Sequence, residues 1–420
     1  MESLPPIPEW ISLEHQVAQI LTQQEQHGWY FNESAARELE SSLRKEYEET
    51  SKLLRNRYPY VSGSVFTPKR ANRTKGYVAN APFTKLKELN PTSRDHIAWI
   101  LSTHYDWQPS SLTNSGKAVI DETVLKDIGT DIALQFLTLL DLTKKLGMIS
   151  EGVNAWQKLV TTSSRIHHHC SVATATFRCA HRSPNLGQVP SDERFRKLFT
   201  ASPNLSMVGC DLAGVELRVL AHYLARWDGG RYAEVLLHGD IHQENANKIG
   251  VSRKLVKTIS YAFLYGAGDQ KLGMSYDKQL SPEKAKKKGK EIRKAYIDAI
   301  PGLEKLLEGV HKASEKGFVR GIDRRKILVD SKHKSLNYLI QGSSAVLAKK
   351  WMLLTHENLP PTARQLAFVH DELQFECEEK EVEDLKFLLE LSAVQAGEYY
   401  KLRCPIAAES KSGSTWADVH

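Results

Sequence analysis

Cysteine is scarce in this sequence, and long apolar runs are missing. The 420 residues include five cysteines and no C-x-x-C pair, so a disulfide framework or a zinc ribbon is disfavoured and a reducing compartment is expected. No apolar run approaches the roughly 18 residues that span a bilayer. The first ten residues also lack the basic and apolar segments of a signal peptide. These absences predict a cytoplasmic protein without a membrane segment.

Neither sign of charge dominates the chain. Lys and Arg total 57 against 50 Asp and Glu, for a net charge of +7, and apolar residues make up 41%. This composition excludes collagen-like, coiled-coil and wholly disordered chains. The small basic excess favours a polyanionic partner, whereas the lack of a G-x-x-x-x-G-K-[ST] motif argues against a P-loop ATPase.

Apolar periodicity predicts a helical first third. Helices are predicted over residues 13–21, from an N-cap at Asn32 to Pro59, and over residues 131–146 with Gly147 as a C-terminal stop. Residues 59–82 combine Pro, Gly and Ser with scattered Lys and Arg, which predicts a flexible basic loop. From about residue 159 onward, short β-prone runs alternate with long helices.

Two segments place carboxylates at the ends of β-prone runs. Residues 207–211 end on Asp211, and a second run precedes His370, Asp371 and Glu372 in a pattern that predicts a hairpin. If the two runs are neighbouring strands, Asp211 and Asp371 converge, and cations such as Mg²⁺ must bridge them because like charges repel. Two such ions about 3.5–4 Å apart would clamp the oxygens of a phosphoryl transfer. Each segment alone also has a purely structural explanation. Asp211 could cap the next helix, and Asp371 could stabilise a turn.

A third segment combines cations and aromatic rings on one helix. Ser252 is a suitable N-cap and Gly266 a suitable end. Four side chains recur every four residues and so share a face: Arg253, Lys257, Tyr261 and Tyr265. The cations lie at the positive end of the helix dipole and suit a triphosphate, and the rings suit stacking on a base. An ordinary amphipathic helix would look similar.

Residues 167–170, three histidines and a cysteine, are the other cluster of metal-binding residue types. Consecutive strand residues point to alternate faces, so all four cannot bind one ion. The sequence therefore gives no metal assignment to this run.

Together the three segments resemble the motifs of family A DNA polymerases, the DNA-polymerase-I type, and most closely those of short-tailed bacteriophages. Residues 211–218 are similar to the first palm motif D-x-x-x-x-E-L-R, and residues 370–372 to the second, H-D-E. Residues 253–266 are similar to the nucleotide-binding helix R-x₃-K-x₃-[FY]-x₃-Y-G. Supporting similarities lie in residues 182–190, 239–242, 337–342 and 416–420. The resemblance covers residues 11–420 in the family's order.

The resemblance implies an α+β right-hand polymerase fold, with an antiparallel palm sheet and mostly helical thumb and fingers. It places the thumb at residues 1–158 with a short basic loop near 57–82, the palm at 159–223 and 337–420, and the fingers at 224–336. The implied activity is that of a replicative phage enzyme, a DNA-directed DNA polymerase that adds dNTPs to a primer 3′-hydroxyl. It would act as a monomer on primer–template DNA in the cytoplasm of a bacterial host.

The resemblance also implies roles for individual residues. Two Mg²⁺ ions would be held by Asp211, Leu212 and Asp371, with Glu372 as a further catalytic carboxylate. The incoming dNTP would be contacted by His242, Arg253, Lys257, Tyr261 and Tyr265, and Glu216 would be the steric gate that rejects a ribose 2′-hydroxyl. The primer and template would be contacted by Arg178, Asn337, Gln341 and His370.

Three departures from the family pattern change these expectations. The family T-G-R is Thr176-Phe177-Arg178 here, so a bulky ring replaces glycine beside Arg178. The loop near 57–82 is shorter than the insertion with which the phage relatives bind host thioredoxin, which argues against that partner. The chain begins close to the thumb, so we expect no proofreading exonuclease in it. A separate exonuclease, a helicase-primase or another processivity factor would be further partners.

Three other functions stay open on the sequence. A metal-dependent nuclease or transposase-like enzyme would use Asp211, Asp371 and Glu372 but leaves the face of residues 253–265 unexplained. A single-subunit RNA polymerase would share the two aspartates and the helix, although Glu216 argues against it. A basic DNA-binding scaffold would tolerate loss of the aspartates. DNA binding alone does not separate these functions.

Overall fold

The structure is a computed structural model that describes residues 7–277 and 280–420. Its α-helices are α1 (Glu9–His27), α2 (Glu33–Arg57), α3 (Arg94–His104), α4 (Glu122–Ile128), α5 (Asp131–Leu146), α6 (Trp156–Leu159), α7 (Glu193–Arg196), α8 (Val215–Asp228), α9 (Arg231–His238), α10 (Ile241–Ile249), α11 (Arg253–Leu264), α12 (Asp269–Tyr276), α13 (Pro282–Ala299), α14 (Leu303–Ser314), α15 (Ser335–Glu357) and α16 (Val382–Tyr399). Its strands are β1 (Trp29–Phe31), β2 (Tyr60–Phe66), β3 (Phe83–Glu88), β4 (Arg165–Ile166), β5 (His169–Ser171), β6 (Ala180–Arg182), β7 (Phe199–Thr200), β8 (Ser206–Leu212), β9 (Phe318–Arg320), β10 (Lys326–Leu328), β11 (Arg364–Val369), β12 (Glu372–Cys377) and β13 (Ala408–Gly413).

The chain forms two compact units. The smaller unit is Ser34–Lys158, and the larger unit combines Met1–Glu33 with Leu159–His420. Helix α1 therefore belongs to the larger unit, although the sequence assigned all of residues 1–158 to the thumb. The first six residues of that predicted thumb lie outside the described residues, and its division from palm and fingers stays a prediction.

The smaller unit is built on α2 to α5, whose apolar faces meet in a core that includes Leu54, Ile97 and Phe136. The predicted flexible loop over residues 59–82 is wrong at its start, because β2 pairs there with β3 in an antiparallel hairpin. Strand-forming side chains of β2 outweigh its glycine and serines. Beyond β2, rings of the hairpin pack edge to face, with centroids 4.7 Å apart for Tyr77 and Phe83.

Helix α5 has the predicted bounds and ends before Gly147 as predicted, but the chain does not turn away at that glycine. Gly147 keeps right-handed helical angles, with φ of −58°, and the chain continues in a π-helical turn over Gly147–Glu151. Basic residues and a glycine mark the end of the α-helical hydrogen-bonding pattern here without redirecting the backbone.

The larger unit contains a four-stranded antiparallel sheet in the order β11-β12-β8-β13. Helix α16 packs on β8 and β13, and α15 packs on α16. Trp351 of α15 is fully buried and donates a hydrogen bond from Nε1 to the Leu389 carbonyl of α16 at 2.8 Å. The strand predicted to end near Asp211 and the hairpin predicted around Asp371 are both confirmed.

Long helices combine with sheets whose strand pairs are all antiparallel in the described residues, which confirms the predicted α+β class. Within the described ranges, none of the helices has the length and apolar character required to cross a membrane.

Candidate active site

A row of carboxylates lies at one end of three adjacent strands of the four-stranded sheet. Asp211 of β8 lies directly opposite Glu372 of β12 on one side and Glu409 of β13 on the other. Directly opposite residues of an antiparallel pair point to the same face. Asp371 lies at the β11–β12 turn, where its carbonyl accepts a hydrogen bond from the Leu212 amide at 3.0 Å. The structure thus brings Asp211, Leu212, Asp371 and Glu372 together.

Burial and neighbouring carboxylates raise the pKa values of Asp211 and Asp371. Burial, with the Glu372 carboxylate as the next cause, raises the pKa of Asp211 to about 7. Burial, with Glu216 next, raises the pKa of Asp371 to about 6. The ionised form of each carboxylate is thus less stable here than in water, and a bound cation would stabilise that form.

Glu372 is held by hydrogen bonds from three side chains. Only 5% of it is exposed. Its Oε1 accepts from Gln374 Nε2 at 2.5 Å and from Trp416 Nε1 at 2.6 Å, and its Oε2 lies 3.1 Å from His420 Nδ1. The hydrogen bond to Glu372 raises the pKa of His420. Ligand atoms of Asp211, Glu372 and His420 all lie within 4.8 Å of one another.

A glycine in β8 lets the segment after Trp416 approach this row. A Cβ on Gly209 would lie 2.6 Å from the Val419 carbonyl oxygen, so a larger residue would displace the chain that carries His420. Arg196 of α7 lies close by, with its guanidinium 5.4 Å from the Trp416 ring centroid. Burial lowers the pKa of Arg196, while Glu372 and Asp211 favour its charged form.

Sequence reasoning missed four members of this neighbourhood: Arg196, Glu409, Trp416 and His420. Residues 416–420 could have been noticed because they resemble the C-terminus of the phage polymerases. That resemblance did not indicate that Trp416 and His420 contact Glu372. Arg196 is one of three cations within residues 194–197, and nothing local distinguishes it from the other two.

Helix α11 has the predicted caps. Ser252 Oγ accepts a hydrogen bond from the Leu255 amide at 3.3 Å, and Gly266 has a φ of +70° after the last turn. Arg253 and Lys257 are exposed, and the Tyr261 and Tyr265 rings stack with centroids 6.5 Å apart. Arg253 Nε donates to Asp240 Oδ2 at 2.6 Å. The predicted cationic and aromatic face therefore exists, with its first cation paired to an exposed aspartate.

Glu216, in the first turn of α8, joins residues from two other segments. Its carboxylate accepts a hydrogen bond from the Arg178 guanidinium, and the Tyr265 hydroxyl lies 3.1 Å from both carboxylate oxygens. Burial and the Glu216 charge raise the pKa of Tyr265 to about 12. Three residues that the sequence assigned to nucleotide or DNA contacts thus meet in one network.

His242 of α10 lies beside the tyrosines, with its ring centroid 6.3 Å from that of Tyr261. It is 9% exposed, and its Nδ1 has no hydrogen-bond partner among the described residues. Burial, followed by the charge of Arg253, lowers the pKa of His242. A neutral ring with an unused nitrogen beside two cations is suited to a polar ligand.

The remaining predicted DNA contacts lie around the same centre. Asn337 Nδ2 donates to the Leu264 carbonyl at the end of α11 at 2.8 Å, and Gln341 follows one turn later on α15. His370 has a φ of +61° at the hairpin turn. Burial and the nearby charge of Arg178 lower the pKa of His370.

Phe177, the departure from the family glycine, adopts a conformation that favours glycine. Its φ is +62°, in the left-handed region that side chains rarely occupy. The ring lies against the buried Arg325 guanidinium, 4.7 Å from its carbon, and this contact offsets part of the backbone cost. Arg178 keeps its bond to Glu216 despite the substitution.

Clustered carboxylates beside a helix with exposed cations and stacked tyrosines define a nucleotidyl-transferring type of site. Comparison with known families agrees, since the profile of DNA polymerase family A matches residues 38–418. The chain belongs to family A of the DNA polymerases.

Individual relatives support this membership. The chain is 30% identical to the DNA-directed DNA polymerases of Escherichia phage T7 and Enterobacteria phage T3, over 98% of its own length and 70% of theirs. The POL domain of Pol1 from M. smegmatis, solved in complex with DNA primer-template and dNTP, has a similar fold, with a TM-score of 0.77. That match has 21% identity and covers 97% of this chain and 70% of the other.

Proposed function

We propose that this chain is a template-directed DNA polymerase that extends a primer 3′-hydroxyl with dNTPs. The convergence of Asp211, Asp371 and Glu372 near the Glu216–Tyr265 end of the α11 face carries the proposal. A nuclease would need the carboxylates but not that face. We further propose a replicative role for a phage in the bacterial cytoplasm, because the T7 and T3 polymerases are phage proteins, with the chain active as a monomer.

The donor set fits divalent ions of the magnesium type. Asp211, Asp371 and the Leu212 carbonyl offer hard oxygen ligands. Burial, followed by neighbouring carboxylates, raises the pKa of both aspartates, so a bound cation would favour their ionised forms. These three residues would hold two Mg²⁺ ions. Bound there, the ions would supply Lewis-acid stabilisation of the negative charge on the phosphoryl oxygens.

The cationic residues of α11 would receive the triphosphate. Arg253 is now paired with Asp240 on the surface, where side chains are 51% and 43% exposed, and such pairs contribute little. Phosphate oxygens can therefore replace Asp240 as the partner of Arg253, with Lys257 one turn along and His242 donating from its buried ring. This places the base end of the nucleotide toward Tyr261 and Tyr265.

Glu216 would select the sugar. Its carboxylate is fixed by Arg178 and Tyr265, so it cannot turn aside easily when a 2′-hydroxyl approaches. Deoxynucleotides lack that group and would fit beside it.

In the reaction the primer 3′-hydroxyl loses its proton to solvent as its oxygen bonds to the α-phosphorus. The bond from that phosphorus to the oxygen bridging the α- and β-phosphates breaks, and pyrophosphate leaves. Arg178, Asn337, Gln341 and His370 would orient the primer end and the template beside this centre. Contacts to backbone and to groups common to all base pairs would leave the choice of nucleotide to pairing with the template.

Single-nucleotide incorporation tests the proposal. Four primer–templates that differ only in the templating base are each given one dNTP at a time with Mg²⁺. We expect extension by one nucleotide only for the complementary combination. Three results would each overturn the proposal: incorporation of non-complementary dNTPs as readily as complementary ones, extension that occurs only with rNTPs, or shortening of the primer.

A further inference from the structure

Outside the active site, two histidines and a cysteine form a buried cluster. Cys170 of β5 lies directly opposite His181 of β6, and His168 precedes Cys170 by two residues, on the same side of the chain. Side-chain alternation prevents residues 167–170 from binding one ion together. It leaves His168 and Cys170 free to combine with a third donor from the neighbouring strand.

The geometry of the cluster suits one small cation. One ligand atom from each of His168, Cys170 and His181 lies within 4.8 Å of the other two, and Cys170 Sγ is 3.3 Å from His181 Nδ1. Zinc bonds of about 2.0–2.1 Å to nitrogen and 2.3 Å to sulfur, in a tetrahedron, require separations of roughly 3.3–3.6 Å between ligand atoms. The Cys170–His181 pair already has this separation, and the distances to His168, within 4.8 Å, would shorten by at most about 1.5 Å.

The cluster is almost closed to solvent. His168 is 0%, His181 7% and Cys170 8% exposed. The ring nitrogens that face the other donors are His168 Nε2, 3.1 Å from Gln24 Nε2, and His181 Nδ1, 3.3 Å from Cys170 Sγ.

Gln24 of α1 lies where the donors converge. Its Nε2 is 3.1 Å from His168 Nε2 and 3.5 Å from Cys170 Sγ, so without metal the amide donates to both. Its Oε1 accepts from Gln365 Nε2 at 2.7 Å, and Gln365 Oε1 lies 2.8 Å from His356 Nε2. Rotating both amides by half a turn and changing the His356 tautomer keeps the Gln24–Gln365–His356 hydrogen bonds and turns the Gln24 oxygen toward the cluster. It gives up the weak donation from Gln365 Nε2 to Met352 Sδ at 3.3 Å.

We propose that His168, Cys170, His181 and the side-chain oxygen of Gln24 form a structural Zn²⁺ site. The thiol of Cys170 gives up one proton to solvent as the ion binds. The site joins α1 to the β5–β6 hairpin, whose connecting segment carries Phe177 and Arg178. Its role is to fix that hairpin, and it takes no part in the nucleotidyl-transfer chemistry.

Cobalt substitution tests the site directly. The full chain is produced in medium where Co²⁺ replaces Zn²⁺ and is then dialysed against metal-free buffer. We expect one equivalent of retained cobalt and a thiolate-to-cobalt charge-transfer absorption. Both should be lost in Cys170→Ser and in His181→Gln. Both should be kept in Cys404→Ser, whose thiol donates to the Pro405 carbonyl at 3.9 Å.

The outcomes separate the site from its alternatives. Folded wild-type protein that retains no cobalt would overturn the proposal and leave a hydrogen-bonded cluster. Retained cobalt without the thiolate absorption would also overturn it, because the ion would then lie on carboxylates such as those of Asp211 and Glu372. If Cys170→Ser fails to fold, the wild-type spectrum and His181→Gln still decide.

Discussion

Replacing Asp211 by asparagine tests the electrostatics of the active site separately from its catalysis. Burial and the Glu372 carboxylate raise the pKa of Asp211 to about 7, so its ionised form costs more in the folded protein than in the unfolded chain. Asparagine has the same shape without the charge. We expect Asp211→Asn to stabilise the metal-free protein near neutral pH, although it removes activity.

The size and sign follow from the pKa change. A rise from 3.8 to about 7 corresponds to at most about 4 kcal/mol at 1.36 kcal/mol per pKa unit. Because the folded-state pKa is the higher one, this penalty is absent below the unfolded pKa and complete above about pH 7. Partial hydration of the carboxyl reduces it to roughly 2 kcal/mol, so a chain of this length should gain roughly 2–3 °C in Tm.

Thermal unfolding followed by circular dichroism measures this effect. In buffer freed of divalent ions, Asp211→Asn should melt above wild type at about pH 8, and the difference should shrink at about pH 5. Added Mg²⁺ should raise the Tm of wild type more than that of the variant, whereas Asp384→Asn, an exposed change on α16, should match wild type throughout. A variant that melts below wild type at the higher pH, or equal stabilisation of both by Mg²⁺, would refute the reasoning.

The other predictions concern nucleotide selection. Glu216→Ala should admit ribonucleotides because the gate is shortened, and an unchanged ratio of rNTP to dNTP incorporation would contradict this role. Tyr261→Phe should sharply raise discrimination against ddNTPs, since the resemblance implies that this hydroxyl favours their acceptance; equal chain termination by both enzymes would count against it. Lys257→Ala should raise the KM for dNTPs by about tenfold, the loss expected for one charged hydrogen bond, while Lys254→Ala, on another face of α11, should leave it unchanged.

Much of the site could be predicted because its key residues are encoded locally. The apolar run before Asp211, the two β-prone runs around Asp371 and the caps at Ser252 and Gly266 each lie within a few residues of the group that they position. Spacing by four residues also predicted the shared face of α11. Such short-range patterns can be predicted from the sequence because they determine the local backbone geometry directly.

Contacts between distant segments could not be predicted in this way. Glu372 is contacted by Trp416 and His420, which lie 44 and 48 residues further along the chain. Only the folded sheet brings these residues together. The converging donors around Cys170 depend on α1 and on a cross-strand neighbour, so alternation along one strand gave an incomplete answer. The positive φ of Phe177 likewise follows from its surroundings, because the residue itself disfavours that conformation.

Primer extension by the Asp371→Ala variant tests the central claim most directly. A 5′-labelled primer on a longer template, with Mg²⁺ and all four dNTPs, is offered to wild type, Asp371→Ala and the exposed control Asp384→Ala. Full extension by wild type and the control, with loss in Asp371→Ala, is the result expected of a polymerase that uses the Asp371 carboxylate. Undiminished extension by Asp371→Ala would contradict the account.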